Sequence, residues 1–561
     1  MIMRRILTLL VALCTIFSAE AAYSVKKIKA PKGTTLCGVV YCGDEPLAGV
    51  KVSDGVNVTT TNDKGIYTLK SDKRYGVVYL STPSGYAPKI KSDVRLNFWA
   101  STTAPASKRE RHDFELEKAD DKRFSLLMFS DSHLCDNKKY DDLKHFEELC
   151  IPAIKRACEQ NAGTMTYAVN LGDITWDRFW YETGFDIERV PSYLSEQGFP
   201  VPFLCVMGNH DNDPSTLPDA NTDINGSVRY RKVFGPTHFS MNIGDIHLVL
   251  LDNVIFKNEV KPDQKTHKGV VGSRNYDLGL NDTQLEWLRQ DLASVSKDTP
   301  IVVCMHAPLF MRNSKGKQVS GWSKGMAEPF VELLKDFKSV RLYSGHKHQN
   351  ISHIHPTYPN ITECNVTAIA GDLWKTPNVS GTNIGEDGGD AGFFFCTFDG
   401  KEFKQTWHSV EKGESVPFRV YDINGLQERY TSNASLKHLC ELHPNQTNYA
   451  DAQYQNYIYV NCFHWEQGCT LTISEQGKNL EVEQVNDSDP RAAEVIYAPS
   501  RAKSKKMNKK TNALSLCFHM FRAKAETDSA DVTVTLTTPY GESFTSTLSR
   551  PAQYPTYYRK K

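Results

Sequence analysis

The chain has 561 residues, 40% of them apolar and 24% charged, with 66 Lys+Arg against 66 Asp+Glu. The length fits three or four domains, and the composition is that of a soluble globular chain rather than a disordered or fibrous one. The even charge balance gives no whole-chain electrostatic case for a nucleic-acid partner or an anionic membrane, and the basic run from Arg501 to Lys510 reads as a solvated loop.

Arg4 and Arg5 precede an apolar stretch from Ile6 to Phe17, followed by Ser18-Ala19-Glu20-Ala21-Ala22. That order predicts a signal peptide over 1–22, cleaved after Ala21 or Ala22. The stretch is too short for a comfortable membrane span. No other segment is a transmembrane candidate, so the mature chain is expected to be exported, to the periplasm or the cell surface. Leu13 is too large for the residue before a lipidated cysteine, which argues against Cys14 as a lipid anchor. Of 14 cysteines, those other than Cys14 form an odd set that cannot all pair. Cys37 and Cys42, which flank a predicted hairpin, and Cys462 and Cys469, close in sequence, are the better disulfide candidates for an exported chain, with the connectivity open. Cys205 and Cys304 lie inside apolar runs and read as core.

Residues 30–120 show short runs such as Gly38–Cys42, Leu47–Val52 and Ile66–Leu69, punctuated by Gly, Pro, Asn and Asp. This predicts an all-β sandwich. The stretch resembles the prealbumin-like or Ig-like sandwich of many exported proteins, read as a scaffold without chemistry. Phe114–Leu116 would be its last strand, and Asp120–Arg123 a linker.

Over 122–408, apolar runs at Phe124–Phe129, Tyr167–Leu171, Phe203–Met207, Ile301–Met305 and Val340–Tyr343 read as buried strands. Each ends in a polar motif: Asp131-Ser132-His133, Gly172-Asp173, Gly208-Asn209-His210-Asp211, His306, and Gly345-His346-Lys347-His348. Ligand groups gather at the carboxyl ends of strands in sheets flanked by helices, so one centre is expected. His247–Leu251 and Ala368–Ala370 are further strands. Asp141–Asn161 is a helix with a kink or break at Pro152. Asn281–Gln284 offers a capping-box-like start to a helix packing through Leu285, Leu288 and Leu292. Two inserts, Trp176–Gly198 and Phe256–Asn281, read as pocket-shaping loops. Trp176, Arg274 and Tyr276 are candidates for substrate contact. His353 and His355, two apart, read as half-buried edge residues. After Trp407-His408, runs at Val416–Tyr421, Tyr457–Val460, Cys469–Ile473, Ala513–Cys517 and Val532–Leu536 predict a second β-rich domain over 409–561.

These five motifs, in this order, resemble the calcineurin-like metallophosphoesterase superfamily in its variant with aspartate and histidine two residues apart. The resemblance implies an α/β core, a two-sheet sandwich flanked by helices. It places one divalent metal on Asp131, His133 and His348, and a second on Asn209, His306 and His346, with Asp173 bridging. It leaves His210 beside the leaving oxygen as a non-ligand. Asp177 is a candidate to orient His210. Imidazole, carboxylate and amide donors suit Mn, Zn, Fe or Ni. Purple acid phosphatases resemble the pattern but carry a tyrosine where this chain has Trp176, so no phenolate colour is expected. The β-core-β order resembles an exported architecture common in Bacteroidetes. The implied activity is hydrolysis of phosphomonoesters or phosphodiesters, small or polymeric, by a hydroxide bridging the ions. The alternative is an inactive envelope- or glycan-binding module, and the intact set of ligand positions argues against it.

Overall fold

The structure, a computed structural model, describes residues 23–554 except 263, 265–266, 314, 412–415, 444–445 and 502–514. The expected signal peptide and all but the first residue of the basic run lie outside the described residues.

The N-terminal region folds as two facing sheets. In one, Leu36–Cys42 pairs antiparallel with Ile66–Leu69 and parallel with Phe114–Lys118. The other contains Lys51–Ser53, Val58–Thr60, Val77–Leu80 and Trp99–Ser101. Their inner faces, including Val40, Val52, Val78 and Leu80, are buried. The sandwich docks on the following region through polar contacts. Trp287 Nε1 donates to Ser53 Oγ at 3.1 Å, and Lys51 Nζ lies 3.2 Å from Asp291 Oδ1.

The central region is a sandwich of two mixed sheets. The first has the order Phe203–Cys205, Met165–Asn170, Arg123–Phe129, Gly392–Asp399, Glu402–Ser409. The second runs Phe239–Ile243, Ile246–Leu250, Ile301–Cys304, Val340–Ser344, Ile361–Asn365, Ile351–Ile354. The motif-bearing strands are parallel within each sheet, so their carboxyl ends share one edge of the sandwich. Strands buried on both faces read as continuous apolar runs, which is why they are legible in the sequence.

Several expectations change. The helix near Pro152 is interrupted by a π-helical turn at Phe146–Cys150, with Pro152 in the first turn of the segment that follows. Trp176–Gly198 is largely helical, with Trp180–Thr183 and Val190–Glu196. Ala368–Ala370 makes a single bridge, Ala368 to Ser130, in place of a strand. Asn281 caps its helix by accepting from Gln284 N at 3.0 Å, but the Gln284 side chain turns away to Asp252. Trp287 and Leu288, with Leu292, form the buried face, and Leu285 is only partly covered. Asn281→Ala is expected to destabilise the chain by about 1 kcal/mol. A denaturant midpoint identical to wild type would show the cap contributes nothing.

The C-terminal region contains two four-stranded sheets, one with Phe418–Asp422, Tyr457–Cys462, Cys517–Lys524 and Val482–Asp487. Helices at Ile423–Ser432 and Ala434–Leu442 cover it. The strand expected at Ala513–Cys517 begins only at Cys517, with 513–514 outside the described residues.

Both disulfide expectations fail, since the described cysteines are all free thiols. Cys37 and Cys42 lie on one strand, where five residues span roughly 16 Å, far beyond the reach of a disulfide. Cys462 and Cys469 share a core cluster as buried thiols. Among the described residues, no helix is long and apolar enough to cross a membrane.

Candidate metal centre

The five strand ends converge. Asp131 and His133 follow Arg123–Phe129, Asp173 follows Met165–Asn170, and Asn209 and His210 lie in a tight turn after Phe203–Cys205. His306 follows Ile301–Cys304, and His346 and His348 follow Val340–Ser344. The backbone is left-handed at Asp131 (φ 53°), His133 (46°), Asp173 (51°), His346 (68°) and His348 (55°). Each such residue costs roughly 1–2 kcal/mol, and strain of this kind collects at functional sites. Gly172, at φ 97°, is needed for a second reason: a Cβ there would sit 2.5 Å from His306 Nδ1.

Two clusters of electron-pair donors result. In one, His348 Nε2 lies 3.2 Å from both Asp131 Oδ1 and His133 Nε2. Asp131 Oδ1 is buried with no hydrogen-bond partner, while Asp131 Oδ2 accepts from His346 N at 2.8 Å and from Ser130 Oγ. In the other, His306 Nε2 lies 3.1 Å from both Asn209 Oδ1 and His346 Nδ1, and 3.3 Å from Asp173 Oδ2. His306 Nδ1 donates to the Leu171 carbonyl at 2.9 Å. That leaves the Nε2 lone pair facing the cluster. Donors around one ion with bonds of about 2.1 Å stand about 3.0–3.4 Å apart, the spacing seen here. An unpartnered buried carboxylate oxygen between imidazoles fits a cation. Asp173 belongs with His306 and His346 and also with His133 and His210, so it joins the two clusters.

Burial pushes His133 down to about 3, and burial with the neighbouring His306 does the same for His346. Both rings are therefore neutral, the form a metal takes. Burial alone would lower His210, but Asp173 and Asp177 outweigh it and raise that ring above its ordinary value.

His210 Nδ1 is 2.7 Å from Asp177 Oδ1, the contact expected from spacing. The same oxygen accepts from Arg274 Nη1 at 2.7 Å. Arg274 is itself left-handed (φ 56°), and its N–H is held by Asn258 Oδ1 at 3.0 Å. The Tyr276 ring lies 6.0 Å from His346, on a short strand paired with Val254–Phe256. The Trp176 ring lies 5.7 Å from His133, but at 8% exposure it mainly packs with Phe179 and Tyr140. His353 and His355 pack against Phe310, away from the centre; His353 is buried, rather than half-buried at an edge.

Sequence reasoning missed the supports. Asp211, fully buried, accepts from Gly208 N at 2.9 Å and Thr175 N at 3.0 Å, tying two motif loops together. Burial and Asp173 push it up to about 7. Asn253 Oδ1 receives the His306 and Ala307 N–H groups at 3.1 and 3.0 Å. Its place just past the strand Ile246–Leu250 was the available signal.

A search of the curated proteins finds no match. Among solved structures, the chain is similar to a dimetal phosphatase from Danio rerio, at 14% identity over 51% of this chain and 96% of that one, TM-score 0.34. It is also similar to GAP50, the anchor in the inner membrane complex of Plasmodium, at 15% over 52% and 86%, TM-score 0.32. A 5'-nucleotidase from Candida albicans matches at 10% over 51% and 52%, TM-score 0.30. Three family models match in succession: the N terminal of calcineurin-like phosphoesterase over 34–119, calcineurin-like phosphoesterase over 124–350, and the C terminal of calcineurin-like phosphoesterase over 363–544. The chain therefore belongs to the calcineurin-like phosphoesterases, in the form whose phosphoesterase domain is flanked by an N-terminal and a C-terminal domain.

Proposed function

We propose that the protein is an exported phosphoesterase with two divalent ions, one held by Asp131, His133 and His348, the other by Asn209, His306 and His346, with Asp173 shared. The carrying observation is the pair of donor clusters joined through Asp173. When bound, such ions neutralise the phosphoryl group and supply a nucleophile near neutral pH. The chain's own residues do the rest. His210, raised by Asp173 and Asp177, holds a proton for the leaving oxygen. Asp177 fixes its ring through Nδ1. Arg274 uses Nη1 on Asp177, and its remaining N–H groups are suited to a phosphoryl oxygen. Tyr276 forms an aromatic wall for the rest of the ester. The reading covers monoesters and diesters. Export rests on the signal-peptide pattern of residues 1–22.

Protein purified from metal-replete medium is expected to carry two divalent ions per chain and to hydrolyse a chromogenic phosphoester. Elemental analysis decides the first point. A chain that holds no metal, or a single ion that added Mn or Zn does not double, is incompatible with the proposal. Arg274→Gln is expected to raise KM more than it lowers kcat, and an unchanged KM would remove Arg274 from substrate binding.

A further inference from the structure

The turn carrying His346 and His348 is not held by its own domain alone. His348 keeps a left-handed backbone (φ 55°), which a residue with a side chain retains only when its surroundings impose it. Thr367 Oγ1 donates to the His348 carbonyl at 3.0 Å. Two residues on, the buried Asn350 accepts from Thr367 N at 2.9 Å and donates through Nδ2 to the Phe463 carbonyl, in the C-terminal domain, at 3.0 Å.

A second support is the loop Gly385–Asp390. It packs so closely that a Cβ on Gly385 would lie 3.3 Å from the His348 carbonyl oxygen and 3.1 Å from Thr367 Oγ1. From the same loop Asp387, 1% exposed, accepts from Asn350 N at 3.4 Å. The far side of the loop is gripped by the C-terminal domain. His519 Nε2 meets Asp387 Oδ2 at 3.1 Å, Asn461 Nδ2 donates to the Asp387 carbonyl at 2.9 Å, and Arg419 Nη1 donates to the Gly388 carbonyl at 2.7 Å. These three side chains come from three adjacent strands of one sheet, Phe418–Asp422, Tyr457–Cys462 and Cys517–Lys524. A buried polar network that is fully paired is rigid and fixes what it touches.

We propose that this C-terminal sheet positions His348, with His519 and Asn461 acting through Asp387 as positioning residues for the ion assigned to Asp131, His133 and His348. The inference rests on the metal reading above. It gives the C-terminal domain a part in the chemistry without contact with substrate.

The test is a titration of chelator-stripped full-length protein with Zn or Mn, following stoichiometry, affinity and melting temperature. Wild type should take up two equivalents. His519→Leu should bind one equivalent normally and the other about 10–100-fold more weakly, the usual effect of removing a partner behind a ligand; Gly385→Ala, whose added Cβ presses on the His348 carbonyl and Thr367 Oγ1, should weaken the same ion. His519→Gln, which keeps an N–H donor near Asp387, should recover most of the loss. The double variant His519→Leu with His348→Ala should retain one equivalent as tightly as His348→Ala alone, because both changes act on the same ion. Two undiminished equivalents in His519→Leu and Gly385→Ala would overturn the proposal and leave the metal reading intact. A wild type without two equivalents would overturn both. Equal weakening of both ions, with a lower melting temperature of the metal-free chain, would show that His519 serves only the fold. Should His519→Leu fail to fold, Gly385→Ala decides alone, since it removes no hydrogen-bonding group.

Discussion

Asp173→Ala will cost the protein both metal ions and, with them, activity on the order of 10⁴-fold or more, a modest part of the 10⁶–10¹⁷-fold enhancements that enzymes reach. Asp173 links the two donor clusters, grouped with His306 and His346 on one side and with His133 on the other. Its Oδ2 stands 3.3 Å from His306 Nε2, and its Oδ1 accepts the His210 backbone N–H at 2.7 Å. Removing it takes a carboxylate oxygen out of the donor set around His306 Nε2. It also frees the turn that carries Asn209 and His210. His348→Ala or His133→Ala should weaken mainly one ion. Elemental analysis of the three variants separates the cases. Metal content in Asp173→Ala equal to that of wild type would refute the shared role.

His210→Ala should behave in the opposite way, keeping both ions and losing roughly 10²–10⁴-fold in kcat, the usual contribution of a general acid. The side chain is 24% exposed, whereas its partner Asp177 is fully buried, so the ring faces the open side of the centre while its Nδ1 is anchored. The loss should depend on the leaving group. A nitrophenolate departs with little help, so its release should suffer less than that of an alkoxide. Metal content and both rates can be measured on one preparation. Equal losses on the two substrates, accompanied by loss of metal, would show that His210 merely shapes the turn under Asn209.

The strand ends and their polar motifs were legible because each motif follows its strand within a residue or two, so chain order and spatial order coincide there. The pairing of Asp177 with His210 was within reach for a related reason: both leave neighbouring parallel strands at the same edge. Arg274 was harder. Its approach to Asp177 depends on Asn258, whose amide also donates to the Pro214 and Thr216 carbonyls at 3.1 and 2.7 Å, contacts between segments far apart in sequence. The grip of the C-terminal sheet on Gly385–Asp390 has no local signature at all. The helix Ile423–Ser432 does have a local signature. Ile423, Leu426 and Tyr430 are its buried residues, at helical spacing, and Asp422 caps it by accepting from Asn424 N at 3.2 Å. The β-rich runs on either side, with their period of two, mask that spacing.

The free thiols make the folded chain its own reporter of opening. Burial pushes Cys150, Cys205, Cys304 and Cys517 well above the ordinary thiol range. A thiol in that state is neither accessible nor ionised, and so barely reacts. These thiols sit in three core clusters: Cys150 and Cys205 share the one on the helix-covered face of the first sheet, Cys304 lies in the one between the two central sheets, and Cys517 in one of the C-terminal region. Cys42, Cys158, Cys364 and Cys440 are only partly covered. Labelling with a thiol reagent should mark these four first. Each later modification, located by mass, would date the moment at which its cluster came apart, and reducing agents should leave the order of those events unchanged.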